Sequence, residues 1–376
     1  MGCAHEWLPG GCMHDQTITF IVAGGDAPSL LPLTLNHPKV LVPFGGVFRI
    51  LDFVLSNVIN SQLRNVYLLT QDKEQQVQSY IGEGWPQLSR EFRWDRGEDL
   101  KCLAPAAGKQ YRGSADAVFQ NLEVMVKSRA ENVLIVTGDL VYQMDYSRLI
   151  RQHVDTQADV TIVGDAVYIF KRQALITALR KFVADGKDHT FETHIVPSLV
   201  RAGHANTEPF SGYWRTINTV DDYHAANMDF LSDRPGFDPY TGSPAVRALS
   251  GPKLLQHSRW AVGSRVALGA RLVSCKVSHS TISGGVRVEN GCEIENSVVL
   301  SGCNIGTGSR VRNAILTENV VVPPRTDIGF DLDGDRQKYL ITPEGIVVVS
   351  PEGDRQQYVQ RRCARVATKA HLAVSR

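Results

Sequence analysis

The chain lacks three features that mark large protein classes: a long apolar run, paired cysteines and an excess of one charge sign. No stretch approaches the ~18 consecutive apolar residues of a membrane span, so no membrane partner is expected. Forty basic against 39 acidic residues leave a net charge of +1, which gives no electrostatic reason to expect nucleic acid. The seven cysteines never form a CxxC pair, so neither a zinc site nor a disulfide framework is expected. Such cysteine usage fits a reducing compartment, and a cytoplasmic location is therefore expected.

The chain is long enough for two domains, because 376 residues exceed what one ordinary core organises. Residues 1–16 contain no apolar run and are predicted to be a flexible N-terminal extension rather than a signal peptide. Residues 232–254 are rich in proline and glycine and are predicted to be the interdomain linker. Residues 351–376 are predicted to be a C-terminal tail.

Between residues 17 and 231, apolar runs alternate with amphipathic stretches. The runs at 18–25 and 131–139 are typical of buried strands, and the apolar stripe in 48–61 is typical of a helix. This alternation predicts an α/β domain with a mostly parallel sheet covered on both faces. Ligands of such sheets bind at the carboxyl ends of the strands.

From residue 255 to about 350 the period changes, because aliphatic residues recur every five or six positions among glycines and small polar residues. The recurring positions are Val266, Leu272, Val277, Ile282, Val288, Ile294, Leu300, Ile305, Val311 and Leu316. This spacing favours a hexapeptide-repeat parallel β-helix, in which each short face contributes one inward aliphatic side chain. An irregular β-sandwich is the alternative.

Six segments, in the same order, resemble consecutive blocks of the bacterial ADP-glucose pyrophosphorylase (glucose-1-phosphate adenylyltransferase) family. They are residues 31–71, 111–121, 138–146, 188–200, 213–231 and 344–349. The resemblance implies a Rossmann-like (GT-A-like) nucleotidyltransferase domain followed by a left-handed parallel β-helix. It also implies a reaction of ATP with glucose 1-phosphate that yields ADP-glucose and pyrophosphate, with Mg²⁺ as the cofactor where activity is retained.

The family's phosphate loop, Gly-Gly-Arg-Gly-Thr-Arg-Leu, corresponds here to the segment from Gly24 to Leu30. Gly24 and Gly25 remain as candidate nucleotide-binding residues, but both arginines are absent. Asp26 sets a carboxylate against phosphate, and Pro28 offers no N–H group to it. The alternative is that the segment is only a strand-to-loop turn.

Four further positions match functional residues of the family. Lys39 matches a lysine near the phosphates and is the candidate catalytic residue, while Gly113 and Asp116 match the nucleobase-side loop. Asp139 matches one metal-binding carboxylate, but Thr216 stands where the second would be. The structural alternatives are a solvated lysine, a helix-starting turn for the nucleobase-side pair, and capping of the next turn by Asp139.

Several other positions depart from the family's pattern. His37 replaces an arginine and is expected to be a plain surface histidine, and Asn218 replaces a glycine. His189 and His194 show no metal-ligand spacing with a nearby acid and are assigned no role.

The largest departure is a deletion. The family runs several dozen residues, including its glucose 1-phosphate segment, between two strands that here are separated by Asp165 and Ala166 alone. Residues 159–170 are therefore predicted to form two strands joined by a tight turn at Gly164-Asp165.

Three functions are compatible with these observations. The first is a catalytically impaired regulatory or structural subunit, which binds an adenine nucleotide as a substrate remnant or effector and forms a homo- or heterotetramer with a catalytic paralogue. The second is an active glucose-1-phosphate adenylyltransferase that uses substitute residues. The third is a hexapeptide-repeat acyltransferase, which is disfavoured because His279 is the only histidine in residues 262–316.

Overall fold

The computed structural model describes six stretches of the chain, which gather into two units. The stretches are residues 16–25, 27–91, 100–107, 109–183, 189–231 and 258–351. Among them, the first unit comprises 16–25, 51–91, 100–107, 109–183 and 189–214, and the second comprises 27–50, 215–231 and 258–351. The sequence predicts residues 27–50 and 215–231 within the α/β domain, whereas their contacts here place them in the second unit. The predicted linker, residues 1–15 and residues 352–376 lie outside the described residues.

A seven-stranded sheet organises the first unit. Its strands are β1 (Thr17–Val22), β2 (Asn65–Leu69), β3 (Lys101–Leu103), β4 (Asn132–Thr137), β5 (Val160–Val163), β6 (Val167–Lys171) and β7 (Ala205–Thr207). The order across the sheet is β7-β5-β6-β4-β1-β2-β3. Within it, β6 runs antiparallel to both of its neighbours, and the other pairs are parallel.

Helices cover the sheet. They are α1 (Leu51–Asn60), α2 (Glu74–Glu91), α3 (Ser114–Gln120), α4 (Leu122–Lys127), α5 (Tyr146–Thr156), α6 (Arg172–Phe182) and α7 (Val196–Arg201). A π-helical turn spans Phe191–Ile195, and short strands lie at Leu140–Tyr142 and Trp214–Thr216. Phe20, Ile135 and Phe170 are buried in one apolar cluster with residues of α3 and α6, as expected for a sheet covered by helices. In the described part of the chain, no helix is both long and apolar enough to cross a membrane.

The apolar pattern of residues 115–128 predicts one helix with Val118, Leu122, Met125 and Val126 on a shared face, but the structure breaks this helix into α3 and α4 at Asn121. Asn121 has non-helical backbone angles, and its side-chain amide donates to the Ala117 carbonyl at 2.9 Å. The break shifts the helical stripe, so Val118 and Met125 are buried while Val126 is 49% exposed. The expectation that Val126 shares their buried face is wrong.

The hairpin predicted at residues 159–170 is confirmed. Strands β5 and β6 pair antiparallel, with Val163 opposite Val167. Gly164 takes a left-handed conformation at φ +57, and a Cβ added there would lie 3.1 Å from the Trp214 ring. The turn is therefore both conformationally suited to glycine and closely packed.

The second unit is built around a parallel β-helix. Its strands are Ala261–Val262, Arg265–Val266, Arg271–Leu272, Lys276–Ser278, Thr281–Ile282, Arg287–Val288, Glu293–Glu295, Val298–Val299, Asn304–Ile305, Arg310–Arg312, Ala314–Leu316, Val321–Val322 and Asp327–Ile328. A helix, Leu332–Lys338, and the strands Leu340–Ile341 and Val347–Val349 follow. The strands from Ala261 to Ile328 stack into three parallel ladders, which confirms the β-helix and excludes the β-sandwich. Val347–Val349 extends one ladder in parallel, and Leu340–Ile341 pairs antiparallel with it.

Most of the predicted inward residues line the interior of this helix, with one shift of register. Ile282, Val299 and Leu316 stand in one ladder and share the core. Leu300, the predicted member of that rung, is buried but lies outside this cluster. The inward residue after Ile294 is therefore Val299, five positions later, rather than Leu300, six positions later. The register partners Ile282 and Val299 are 17 residues apart.

Residues 27–50 and helix α8 (Val220–Asp229) pack within the second unit through polar contacts as well as apolar ones. The Tyr223 hydroxyl donates to the Pro43 carbonyl at 2.6 Å. The ring of His224 donates through Nε2 to the Asn296 carbonyl of the β-helix at 2.8 Å. These contacts join residues that are far apart in sequence. They explain why both segments belong to the second unit rather than to the predicted α/β domain.

Substitution Ile294→Ala should reduce the free energy of unfolding of the second unit by about 2–5 kcal/mol, because it leaves a cavity in the β-helix core. Ile294 is 1% exposed. The control is Val321→Ala, since Val321 is 70% exposed, and its effect should stay within about 0.5 kcal/mol. Urea unfolding of both variants is the measurement, and equal losses would contradict the inward assignment.

Candidate functional site

The carboxyl edge of the sheet brings together the glycines after β1 and the carboxylate after β4. These strands run side by side, and the Val22 carbonyl accepts a hydrogen bond from the Gly138 N–H at 2.8 Å. Gly24, Gly25 and Asp139 therefore follow neighbouring strands at one edge, as predicted. Their roles in binding stay predictions, since only their placement is defined by the fold.

Gln71 belongs to this edge and was not predicted from the sequence. A Cβ added at Gly24 would lie 3.6 Å from Cβ of Gln71, and the Gln71 side-chain oxygen accepts a hydrogen bond from the Tyr111 N–H. Gln71 thus links the turn after β1 to the loop that leads into α3. A polar residue two positions after a strand was the available signal.

Gly113 is required by a close approach of two backbone segments. It has φ +97, and a Cβ added there would lie 2.3 Å from the His189 carbonyl oxygen. The His189 N–H donates to the Arg112 carbonyl at 3.0 Å, and the His189 carbonyl accepts from the Ala115 N–H at 3.1 Å. His189 therefore has a backbone role in holding this loop.

Asp116 is 2% exposed, and its carboxylate holds the same loop. Oδ2 accepts from the Arg112 N–H at 2.8 Å and from the Gln120 side-chain amide at 2.7 Å. These contacts fit the structural alternative, in which Gly113 and Asp116 belong to a turn that starts a helix. They direct the charge of Asp116 toward its own chain. Contact of Asp116 with a nucleobase stays a prediction.

Asp139 is the one predicted magnesium ligand that the sequence keeps, since Thr216 stands at the position of the second. Asp139 is half-buried at the sheet edge, and across the described residues no group of three or more His, Cys, Asp or Glu could hold a metal. Mg²⁺ takes six oxygen ligands, commonly one or two carboxylates with waters and substrate phosphates. Binding of Mg²⁺ at Asp139 therefore stays a prediction.

In the second unit, the segment after Asp26 forms a tight turn rather than an open cradle of N–H groups; Asp26 itself lies outside the described residues. A 3-10 turn spans Pro28–Leu30. The N–H groups of Leu30 and Leu31 donate to the carbonyls of Ala27 and Pro28. Groups used in this way are not directed at a phosphate.

Lys39 also lies in the second unit, where it begins a 3-10 turn. Its ammonium donates to the Asn218 side-chain oxygen at 3.1 Å. Asn218 is the residue that replaces a family glycine, so a substituted position is in contact with the candidate catalytic lysine. The function of Lys39 stays a prediction.

His37 is not the plain surface histidine that was expected. It is half-buried, and its Nε2 lies 2.5 Å from a carboxylate oxygen of Glu318, 281 positions away. The Arg49 guanidinium lies 4.0 Å from the same carboxylate. Burial alone would raise the pKa of Glu318, but the hydrogen bond from His37 and the charges of His37 and Arg49 lower it below its usual value.

Two known families match this chain, one in each half and in the order that the sequence predicts. A family described as nucleotidyl transferase matches residues 18–167, and a family described as GlmU-like, C-terminal hexapeptide matches residues 253–349. The first match ends at the β5–β6 hairpin. The second, together with the parallel ladders, identifies the β-helix as the left-handed hexapeptide type.

Curated relatives match along nearly the whole chain. A glucose-1-phosphate adenylyltransferase of Koribacter versatilis is 31% identical over 400 positions, covering 89% of this chain and 95% of the relative. One from Methylococcus capsulatus is 31% identical, covering 90% and 94%, and one from Vibrio cholerae is 29% identical, covering 89% and 97%. Since 89% of 376 residues is about 335, the first alignment has about 65 positions (400 less 335) without a residue of this chain.

Substitution Gly113→Ala should lower the free energy of unfolding of the first unit by at least about 1–2 kcal/mol, from left-handed strain alone. The clash with the His189 carbonyl adds to this loss. The control is Gly82→Ala, since Gly82 lies within α2 and a Cβ there meets nothing within 4 Å; it should stabilise by about 0.4–1 kcal/mol. Thermal unfolding measures both, and equal melting temperatures would contradict the close approach.

Substitution Glu318→Gln should destabilise the second unit by about 1 kcal/mol near pH 6, and by less in acid. A carboxylate with a lowered folded pKa contributes stability above its unfolded pKa and loses it as the pH falls through the folded value. The difference between wild type and variant should therefore shrink below the ordinary value of 4.5. Urea unfolding at pH 6 and pH 3.5 tests this, with the exposed Glu344→Gln as control. A difference as large at pH 3.5 as at pH 6 would contradict the ion pair.

Proposed function

Because the chain belongs to the glucose-1-phosphate adenylyltransferase family, we propose that it is a catalytically impaired, cytoplasmic subunit of glycogen biosynthesis. It keeps the family's two-part fold and a weak site for an adenine nucleotide, as a substrate remnant or an effector. It acts in a homo- or heterotetramer with a catalytic paralogue. Glucose 1-phosphate is not its ligand.

The observation that carries this proposal is the closed hairpin between β5 and β6. Val163 and Val167 are register partners, so three residues connect the strands. The family resemblance places its sugar-phosphate segment at this connection, and the turn here packs against Trp214 instead. The roughly 65 unmatched alignment positions support an internal loss of this kind.

The substituted positions support the same conclusion. The arginines of the phosphate loop are absent, and N–H groups that follow Asp26 are used within a turn. Asp139 matches one metal-binding carboxylate of the family, but Thr216 stands at the position of the second. Phosphoryl transfer depends on positioning and on cationic stabilisation of the phosphates, so the loss of several such groups should reduce turnover.

An active adenylyltransferase with substitute residues is the second candidate. It is favoured by one observation, the match to full-length relatives over about 90% of this chain. The two candidates differ in what the isolated chain does with ATP and glucose 1-phosphate.

The purified full-length chain, given ATP, Mg²⁺ and glucose 1-phosphate, should form ADP-glucose at least a thousandfold more slowly than the general enzyme median of ~10 per second. The double substitution Asp26→Arg with Ser29→Arg should tighten ATP binding, because two cations then face the phosphates. It should not restore turnover, since point charges cannot replace an absent sugar-phosphate wall. Calorimetry and a coupled assay provide the two measurements.

The matched control carries the same added charge elsewhere, as Glu83→Arg with Thr177→Arg on exposed helix positions, and should leave ATP binding unchanged. ADP-glucose formation near the median rate by the isolated chain would establish the active enzyme instead. For the assembly, light scattering with and without a catalytic paralogue should give a tetramer, and a strict monomer in both would contradict it.

A further inference from the structure

A cleft of about 760 Å³ lies in the second unit, between the end of helix α8 and one corner of the β-helix. Met228 and Leu231 line it from the side of α8. The described residues that line it from the β-helix are glycine or polar: Gly263, His279, Glu295, Asn296, Arg312 and Asn313. Small-molecule sites have volumes of roughly 300–1,000 Å³, and they combine apolar walls with a few polar groups.

Four of the lining residues form a column at the corner of the β-helix. Gly263, His279, Asn296 and Asn313 each follow a strand of the same ladder. All four take left-handed backbone angles, with φ between +44 and +55. Glycine and asparagine suit such a backbone, and both occur in this column. The backbone of the corner therefore does not require the imidazole ring of His279.

The ring of His279 is available to a ligand. A Cβ added at Gly263, one coil earlier, would lie 3.4 Å from Nε2 of this ring, so the ring lies against a position that has no side chain. His279 is exposed, and within the described stretches its ring nitrogens make no hydrogen bond. A neutral imidazole offers one donor and one acceptor.

Asn296 and Asn313 add one acceptor and one donor beside this ring. The side-chain amide of Asn296 donates to the side-chain oxygen of Asn313 at 2.6 Å. That bond orients both side chains and leaves the Asn296 side-chain oxygen and the Asn313 side-chain amide group without a partner among the residues that the structure describes. The Asn296 carbonyl also accepts from His224 of α8 at 2.8 Å, so the column is held in place beside that helix.

Glu295 and Arg312 bring opposite charges to the cleft but do not pair with each other. They are register partners, yet no ion pair joins them in the described part of the chain. The Arg312 guanidinium instead stacks 4.5 Å from the centre of the Phe330 ring and donates to the Gly329 carbonyl at 3.4 Å. The Glu295 carboxylate is exposed and accepts from no described residue. An anionic ligand would face Glu295 and a cationic ligand would face Arg312, so neither charge is favoured.

We propose that this cleft binds a neutral saccharide. Sugar hydroxyls both donate and accept, so they match a lining that offers the Glu295 carboxylate, the Asn296 oxygen and the Asn313 amide group. The two oxygens of a carboxylate can accept from two adjacent hydroxyls. Met228 and Leu231 supply an apolar wall for the C–H face of a sugar ring. The cleft is larger than one ring, so a short oligosaccharide fills it better than a monosaccharide.

Saccharide binding here does not depend on the proposed function. The described lining of the cleft belongs to the second unit, whereas Gly24, Gly113 and Asp139 belong to the first. An inactive chain and an active enzyme would therefore bind the saccharide alike.

Calorimetry of the full-length chain with maltotriose should show one saturable site that ATP leaves unchanged. Glu295→Ala should weaken this binding at least tenfold, because it removes the two carboxylate oxygens from the cleft. The matched control is Glu293→Ala, since both glutamates are exposed on the outward face of one strand and only Glu295 lines the cleft. The control should change binding less than twofold.

His279→Asn removes the imidazole without disturbing the corner. Asparagine continues the column at a residue with φ +44, so the melting temperature should stay near that of the wild type while maltotriose binding weakens at least fivefold. Wild-type binding by His279→Asn, or equal effects of Glu295→Ala and Glu293→Ala, would overturn the proposal.

Three ligands that share one ring test the preference for a neutral ligand. Glucose should bind more tightly than protonated glucosamine and more tightly than glucose 6-phosphate, counting only the binding that Glu295→Ala weakens. Tighter binding of either charged sugar would show that the cleft selects charge and would overturn the proposal. Absence of binding by both glucose and maltotriose at millimolar concentration would overturn it as well.

Discussion

Backbone pairing along both edges of β1 is the constraint on which the first unit depends. All six residues from Thr17 to Val22 pair with β4, and five of them pair also with β2. A strand enclosed in this way cannot slide by one residue without exchanging its two buried faces. Its fixed register places the segments that carry Gly24 and Asp139 at one edge of the sheet, and it places the start of β4 at the other.

Much of this fold could be predicted because it depends on local periodicity. The β-helix followed from aliphatic spacing alone, and the β5–β6 hairpin from a Gly-Asp pair between two β-branched runs. The position of Val299 in its rung could not be predicted, since both Val299 and Leu300 are aliphatic and the coil length had to be known. Asn121 similarly broke a helix whose apolar pattern continued through it.

The candidate site was predicted less completely, because its contacts join distant residues. The sequence marked Gly113 by resemblance, but the reason for glycine is the His189 carbonyl, 76 positions later. His37 and Glu318 could not be paired from sequence at all. In both cases the partner lies far along the chain, so the fold sets the contact and no local sequence pattern marks it.

The 17-residue coil of the β-helix has a consequence for how the length of this chain can change. Strand Val298–Val299 pairs with the strands one coil before it and one coil after it. An insertion of a whole coil would add one rung and leave every other pairing intact. A difference of one residue must instead be absorbed between strands, as it is in the first coil, where Val266 and its register partner Ile282 are 16 residues apart and both stay in the core. The second unit can therefore lengthen or shorten in steps, which allows evolution to extend its surface without rebuilding its core.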